Sequence, residues 1–250
     1  MPSKRYIKEE LREKNNRVLG GSAVEVSLSI IVPTLNEQET IKDCLLPLQP
    51  LRKMGAEVII ADGGSVDHTR VIAEPYVDQV IQAEPGRARQ MNTAAALASG
   101  THLLFLHADT FLPPDFSATS LRDTRWGFFP VELSGSLWQL RIIERTMTLR
   151  SRITGVGTGD QAIFVRSELF HSLGGFADIP LMEDVELCGR LKAVCPPFLG
   201  HNCVMTSSRR WEQQGIIRTV LQMWHLRFAY FLGVSPDRLI RQYYPEKSSE

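Results

Sequence analysis

Polar side chains follow three apolar runs of the sequence, and their types suit a ligand that carries phosphate and sugar groups. Residues 28–32 are followed by Pro33, Thr34, Asn36 and Glu37, residues 58–61 by Asp62, and residues 103–106 by His107 and Asp109. Carboxylates accept hydrogen bonds from ribose hydroxyls and bases, and an acid beside a diphosphate can hold a divalent cation. On an extended strand, His107 and Asp109 would share one face and could reach the same ion.

Each of these groups also fits a purely structural role. Asn36 can cap the helix that follows it, and the pair Gly63 and Gly64 can form a tight turn with Asp67 near a helix start. The order and spacing of the three groups favour a binding site, because ligands of an open parallel sheet bind beyond the carboxyl ends of its strands.

The pattern around these groups predicts an α/β fold with a doubly wound, mostly parallel sheet flanked by helices. Continuously apolar strands that alternate with amphipathic segments are typical of such sheets. The predicted strands are 28–32, 58–61, 79–82, 103–106, 126–133 and 161–165. The predicted helices are 38–54, 66–74, 87–98 with Gly100 as its cap, 137–153, a short helix ending at Gly174 and Gly175, 183–194, and a C-terminal amphipathic helix 216–232.

Composition excludes several classes of protein. The 28 Lys and Arg balance the 28 Asp and Glu, so no global field favours nucleic acid as a partner. Cys44, Cys188, Cys195 and Cys203 form no CxxC pair, which predicts free thiols rather than a zinc site or disulfides. Residues 1–26 are charged and lack the apolar core of a signal peptide, which predicts a flexible tail and a cytoplasmic protein.

The helix 216–232 has two readings. Arg218, Gln222, His225 and Arg227 interrupt its apolar residues, so it does not meet the requirement of about 20 apolar residues for a membrane span. It is either a helix packed on the domain or an interfacial helix that rests on the inner face of a membrane, which would suit a lipid-linked acceptor.

Three motifs resemble the donor site of family 2 glycosyltransferases with the GT-A fold: residues 30–37 (IIVPTLNE), 61–69 (ADGGSVDHT) and 107–109 (HAD). The resemblance extends from about Ser27 to Trp211. Residues 86–92 (GRARQMN), 159–161 (GDQ) and 181–187 (LMEDVEL) are similar to the subgroup of radical-SAM/selenodomain-associated transferase 2. The resemblance implies a GT-A domain over 27–235, with a nucleotide-binding half (27–110), an acceptor and catalytic half (111–211) and a C-terminal helix (212–235), followed by a tail (236–250).

The resemblance also implies an inverting transfer of a sugar from a UDP- or GDP-sugar to a hydroxyl acceptor, with Mn²⁺ or Mg²⁺. The implied donor-binding residues are Pro33, Thr34, Asn36, Glu37, Asp62, Arg87, Arg89, His107, Asp109 and Arg210. Asp109 is the implied metal ligand, with His107 as a second ligand or a neighbour of the diphosphate. Asp184 is the implied catalytic base, Glu183 orients it or the acceptor, and Asp160 and Trp211 contact the acceptor.

Two positions depart from the family pattern. His107 stands where the family commonly has the first of two metal-motif acids, and Ser207 stands where a Gln-x-x-Arg-Trp motif has its glutamine. A sugar-phosphate nucleotidyltransferase is one alternative, but it would carry a Gly-rich loop at 33–37. A catalytically silent GT-A binding subunit is the other, although Asp109 and Asp184 are retained. The sugar, the acceptor and the oligomeric state do not follow from the sequence.

Overall fold

A computed structural model of the protein describes residues 27–243. The charged segment 1–26 and residues 244–250 lie outside the described residues, so the flexible tail predicted for 1–26 stays a prediction.

The described chain contains ten strands in two sheets. In chain order the strands are β1 Leu28–Thr34, β2 Glu57–Asp62, β3 Gln79–Gln82, β4 His102–Phe105, β5 Thr110–Phe111, β6 Trp126–Phe128, β7 Val131–Leu133, β8 Phe164–Arg166, β9 Phe198–Leu199 and β10 Val204–Thr206. The main sheet has the order β3-β2-β1-β4-β8-β6-β9, and the small sheet has the order β5-β10-β7. Strands β3, β2, β1 and β4 are parallel, whereas β8 is antiparallel to β4.

Helices connect and cover these strands. They are α1 Ile41–Leu45, α2 Gln49–Lys53, α3 Thr69–Ala73, α4 Arg87–Leu97, α5 Trp138–Thr154, α6 Ser167–Ser172, α7 Glu183–Val194, α8 Arg209–Gln214, α9 Ile216–Phe231 and α10 Pro236–Tyr243. The predicted α/β class with a mostly parallel sheet is confirmed. Helix α7 has the predicted bounds.

Some predicted elements are divided or shortened. The predicted helix 38–54 begins at Ile41 and is interrupted by a 3-10 turn, Leu46–Leu48, because Pro47 and Pro50 have no amide hydrogen to donate. The predicted strand 126–133 forms β6 and β7 in different sheets, with Pro130 between them. Gly100 does not cap α4, which ends at Leu97 and has Ala98 as its C-cap. A Cβ at Gly100 would lie 2.6 Å from the backbone nitrogen of Ser29, so this glycine permits close packing.

The main sheet separates two apolar layers, because successive side chains of a strand point to opposite faces. Ile30 and Val58 are buried in one layer with α1, whereas Ile31 and Ile59 are buried in the other with α4 and α7. With both faces covered, only the strand ends are open to a ligand.

The C-terminal helices extend the fold beyond the predicted boundary. The sequence places a tail from residue 236, but Pro236–Tyr243 forms α10, and the buried Leu239 packs against Leu226 of α9. In the part of the chain that the structure describes, every helix is too short or too polar to cross a bilayer.

Candidate functional site

The carboxyl end of the parallel sheet opens into a cleft of about 380 Å³. It is lined by Pro33, Glu37, Arg87, His107, Ala108, Asp109, Asp160, Thr206, Ser207, Arg209, Arg210, Trp211, Gln213, Gln214, Thr219, Met223 and Tyr243. An adjoining pocket of about 80 Å³ shares Arg87, His107 and Asp160 with the cleft and adds Glu183 and Asp184. Strands β2, β1 and β4 are neighbours, so the predicted alignment of three strand ends is confirmed.

The loops after β1 and β2 hold each other in place. The amide of Asn36 donates to Ser65 Oγ at 2.9 Å, and Asn36 Oδ1 accepts from the amide of Val66 at 3.0 Å. Asn36 has a φ of 57° and does not cap α1, whose N-cap is Thr40. The amide of Glu37 donates to Thr69 Oγ1 at 2.8 Å. These contacts fix Glu37 at the edge of the cleft, whereas Asn36 does not line it.

Asp62 is fully buried at the end of β2. Its Oδ2 accepts from the amides of Gly64 at 3.0 Å and Ser65 at 2.9 Å, and the Ser65 hydroxyl donates to Oδ1. Thr34 is also buried, and its carbonyl accepts from Gln90 Nε2 at 2.8 Å. Neither side chain lines the cleft in this structure, so their predicted contacts with the base and ribose stay predictions.

Of the two arginines at the start of α4, one faces the cleft and the other forms ion pairs outside it. Arg87 lines both pockets, and its Nη1 lies 3.5 Å from Glu183 Oε1. Arg89 instead pairs with Asp178 at 2.8 Å and with Glu84 at 3.1 Å, and it lines neither pocket. Residues two apart on an α-helix face nearly opposite directions. Arg87 is therefore the arginine of this pair that faces the cleft.

His107 and Asp109 lie in the turn between β4 and β5. The Thr110 amide donates to the His107 carbonyl at 3.0 Å, so these residues are not on an extended strand as predicted. His107 Nδ1 lies 3.4 Å from Asp160 Oδ1. Burial by itself would raise the pKa of Asp160, but the His107 hydrogen bond and the positive charges of Arg87 and Arg210 outweigh it and lower that pKa. Asp160 is therefore held as a carboxylate.

Glu183 and Asp184 begin α7 and face the smaller pocket. Asp184 Oδ2 accepts from the Gly159 amide at 2.8 Å, and Oδ1 accepts from the Val185 amide at 2.7 Å. Burial and the nearby charge of Asp184 raise the pKa of Glu183, although Arg87 opposes the shift. The arrangement thus places Asp184, whose carboxylate is held by two amides, beside a buried acid whose pKa is raised.

Arg210 and Trp211 lie at the start of α8. The Arg210 guanidinium carbon is 3.9 Å from the ring centroid of Tyr243, and Arg210 also hydrogen-bonds the Tyr243 hydroxyl. Trp211 lines the cleft while one side of it packs on the buried Leu140 and Ile143. Arg210, Trp211 and Tyr243 therefore line the cleft, and the predicted contacts of Arg210 with the donor and of Trp211 with the acceptor stay predictions.

The side chains that line the cleft suit a divalent cation that binds together with a diphosphate. Within residues 27–243, no group of three or more His, Cys, Asp or Glu side chains is arranged to hold a metal ion. Mg²⁺ commonly combines one or two carboxylates with substrate phosphates and water, and Asp109 offers a carboxylate to the cleft. His107 is less suited as a ligand, because one ring nitrogen faces Asp160 and the other packs on Gly159.

Sequence reasoning did not identify Tyr243. It belongs to a segment interpreted as a tail, although Ser235 followed by Pro236 is a common helix start and Leu239, Ile240 and Tyr243 recur at helical spacing. Those two signals would have predicted α10 and the residue at its end.

Residues 29–121 match the family described as Glycosyl transferase family 2. A curated relative, the PGL/p-HBAD biosynthesis glycosyltransferase of Mycobacterium bovis (strain BCG / Pasteur 1173P2), is 35% identical over 91 residues, which are 34% of this chain and 36% of the relative. The chain thus matches about a third of that relative's length. These matches support a family 2 glycosyltransferase, and the narrower subgroup stays a prediction.

Two solved structures share the fold. Glucosyl-3-phosphoglycerate synthase from Mycobacterium tuberculosis, in complex with Mn²⁺, UDP and glucosyl-3-phosphoglycerate, has a TM-score of 0.54 and 21% identity, and the match covers 79% of this chain and 78% of that one. S. aureus TarS in complex with UDP-GlcNAc has a TM-score of 0.59 and 20% identity, with 72% and 58% covered. The fold of this chain is therefore the GT-A fold, as the sequence predicts.

Proposed function

We propose that the protein is an inverting glycosyltransferase that moves a sugar from a UDP- or GDP-sugar to a hydroxyl acceptor, with Mn²⁺ or Mg²⁺ as cofactor. One observation carries the proposal. The cleft at the strand ends contains Asp109, whose carboxylate can bind a cation, and the guanidinium groups of Arg87 and Arg210. The adjoining pocket contains Asp184, whose carboxylate is held in place by two amides. The family match and the nucleotide complexes of proteins with the same fold support it.

The donor would lie with its diphosphate between Asp109 and the two arginines. A guanidinium presents a planar fork of donors that matches phosphate oxygens, and Arg87 and Arg210 both line the cleft. When bound, the cation supplies positive charge that offsets the charge growing on the diphosphate as the sugar leaves. Glu37, at the cleft edge, would accept bonds from the nucleoside, with Pro33 beside it.

The transfer itself needs a base on the side of the acceptor. The acceptor oxygen forms a bond to the anomeric carbon while the bond from that carbon to the diphosphate breaks, and the electron pair leaves with the diphosphate. Asp184 would take the proton of the acceptor hydroxyl. Its bonds to the amides of Gly159 and Val185 hold the carboxylate in place, and each oxygen keeps a further lone pair for that proton.

The remaining site residues would position the acceptor. Asp160 faces both pockets, so its carboxylate can accept a hydrogen bond from an acceptor hydroxyl. Trp211 offers an apolar ring face, which packs well on a sugar ring or a lipid. Glu183, paired with Arg87, would orient Asp184 or the acceptor.

Substitution of the proposed base tests the function. Asp184→Asn should slow the hydrolysis of a UDP- or GDP-sugar in Mn²⁺ by about 100- to 10,000-fold, because water then lacks its general base. Binding of the nucleotide sugar, measured by calorimetry, should stay within about twofold, since Asp184 lies outside the donor cleft. Asp178→Asn, which removes a carboxylate near neither pocket, is the matched control. Wild-type hydrolysis by the Asp184→Asn protein would refute the assignment.

A further inference from the structure

Helix α9 exposes an apolar stripe on the side that faces away from the protein. Ile217, Leu221, Trp224, Phe228 and Phe231 are each between 61% and 76% exposed. They are spaced by four and three residues, so they lie one above another along the helix. The opposite side of α9, with Thr219 and Leu226, is buried. The exposed stripe is therefore additional to the residues that attach α9 to the fold.

Helix α5 carries a second stripe of the same kind. Trp138, Ile142, Leu149 and Ile153 are each between 52% and 76% exposed, again at helical spacing. Scattered single apolar residues on a surface are ordinary, whereas a contiguous apolar area marks an interaction site. Two helices with exposed stripes that include tryptophan and phenylalanine therefore call for a common explanation.

An open groove of about 430 Å³ lies between the start of α5 and the start of α9. Leu137, directly before α5, lines one side of it, and Ile216 and Ile217 of α9 line the other. Beneath the groove, Leu140 and Ile143 of α5 pack against Ile216. The starts of α5 and α9 are thus packed against each other, and we call the two stripes and this groove the helical face.

The helices that carry the helical face, and the segments beside them, are rich in arginine, although the whole chain has no net charge. Segments 138–154 and 209–243 contain ten arginines against the three acids Glu144, Glu212 and Asp237, and six of these arginines are exposed, namely Arg145, Arg152, Arg209, Arg218, Arg238 and Arg241. Among the described residues, Arg145, Arg152 and Arg218 are exposed and form no ion pair. Exposed positive charge therefore lies on the same two helices as the apolar stripes.

We propose that the helical face docks on the surface of an anionic lipid bilayer. Exposed Trp, Phe and Leu side chains beside arginines are the composition of helices that lie in the plane of a membrane interface. The apolar stripes would enter the boundary between headgroups and acyl chains, while the arginines reach anionic headgroups. A bilayer accommodates both features at once.

Docking would also place the proposed active site beside the bilayer. Trp211 lines both the groove and the cleft, so the two spaces meet at one side chain. This consequence rests on the proposed function and favours an acceptor that is carried by a lipid. Docking itself is independent of glycosyl transfer and can be measured without a donor.

Vesicle flotation of the full chain tests the proposal. One set of vesicles contains phosphatidylcholine alone, and the other contains phosphatidylcholine with phosphatidylglycerol. Trp224→Gln with Phe228→Gln removes the centre of the α9 stripe, and Arg145→Gln with Arg218→Gln removes exposed charge. Met54→Gln with Val71→Gln is the matched control, because both residues are as exposed as the stripe, but Met54 directly follows α2 and Val71 lies on α3, so neither belongs to the helical face.

We expect the wild type to float with the anionic vesicles and not with the neutral ones. The affinity of the Trp224 and Phe228 variant for vesicles should be at least about tenfold lower, because binding no longer transfers two large apolar side chains from water into the bilayer. The arginine variant should also weaken binding and reduce its dependence on salt, while the control matches the wild type. Circular dichroism should show that all variants are folded.

Three results would overturn the proposal. One is the absence of flotation with anionic vesicles, and another is equal loss in the control variant. The third is a concentration-dependent dimer that the Trp224 and Phe228 variant converts to a monomer while neither protein binds vesicles, which would assign the helical face to a second copy of the chain.

Discussion

Gly159 leaves no room for a side chain beside His107 in the proposed site. A Cβ added at Gly159 would lie 2.2 Å from His107 Nε2 and 2.3 Å from His107 Cε1. The φ of Gly159 is not positive, so alanine meets no backbone strain there. The first effect of Gly159→Ala is therefore on the packing of the His107 ring.

The clash should affect both stability and activity. Overpacking of a tightly packed position costs about 1–3 kcal/mol, so the free energy of unfolding should fall by that amount. The displaced His107 ring would lose its 3.4 Å contact with Asp160, and the turn would shift the amide that holds Asp184 at 2.8 Å. Because a misplacement of about 1 Å can cost about 100-fold in rate, we expect donor hydrolysis to slow by about that factor.

Urea unfolding and a nucleotide-sugar hydrolysis assay measure these effects. Gly189→Ala is the control: no atom lies within 4 Å of its added Cβ, and alanine should stabilise helix α7 by about 0.5–1 kcal/mol. In the His107→Ala background, Gly159→Ala should cost almost no stability, because the ring that it meets is gone. A Gly159→Ala protein with wild-type stability and wild-type hydrolysis would refute the packing of His107 on Gly159.

Two further predictions concern buried titratable groups. Burial and the charge of Asp184 raise the pKa of Glu183 above its ordinary value of 4.5, so the fold loses stability as pH rises above that value and Glu183 is forced to ionise. In thermal unfolding at several pH values, the Tm of Glu183→Gln should rise relative to the Tm of the wild type from pH 4.5 upward. A Tm difference between the two proteins that does not change with pH would contradict this. Burial also raises the pKa of the Cys44 and Cys188 thiols to about 12. Burial and the charge of Glu132 also raise the pKa of Cys203, but its thiol is exposed, so iodoacetamide should modify Cys203 before these two buried thiols. Mass spectrometry that finds Cys44 labelled early would contradict its burial.

Much of the fold follows from the sequence because parallel strands that are buried on both faces are continuously apolar. The four strands β1 to β4 and helix α7 occur where the sequence predicts them. The position of Asp109 also follows, because the end of a central strand fixes where the next polar side chain lies. These features depend on local pattern alone.

The remaining site features depend on contacts that no local pattern contains. Arg89 has the same residue type as Arg87, but its partner Asp178 is 89 positions away in the chain. Asp62 suits a ligand by type, yet the turn that follows it uses both carboxylate oxygens. Asn36 has a left-handed backbone that joins two loops instead of capping a helix. Only the folded chain distinguishes these roles.

Binding of a nucleoside diphosphate tests the central claim most directly. In calorimetric titrations of the full chain with UDP and with GDP, the proposal predicts binding of at least one of them in Mn²⁺ or Mg²⁺. Excess EDTA should abolish this binding, and Asp109→Asn should weaken it by about tenfold or more, because the cation loses its protein carboxylate. Absence of binding of either nucleotide in the presence of Mn²⁺ or Mg²⁺ would contradict the donor site and the glycosyltransferase proposal that rests on it.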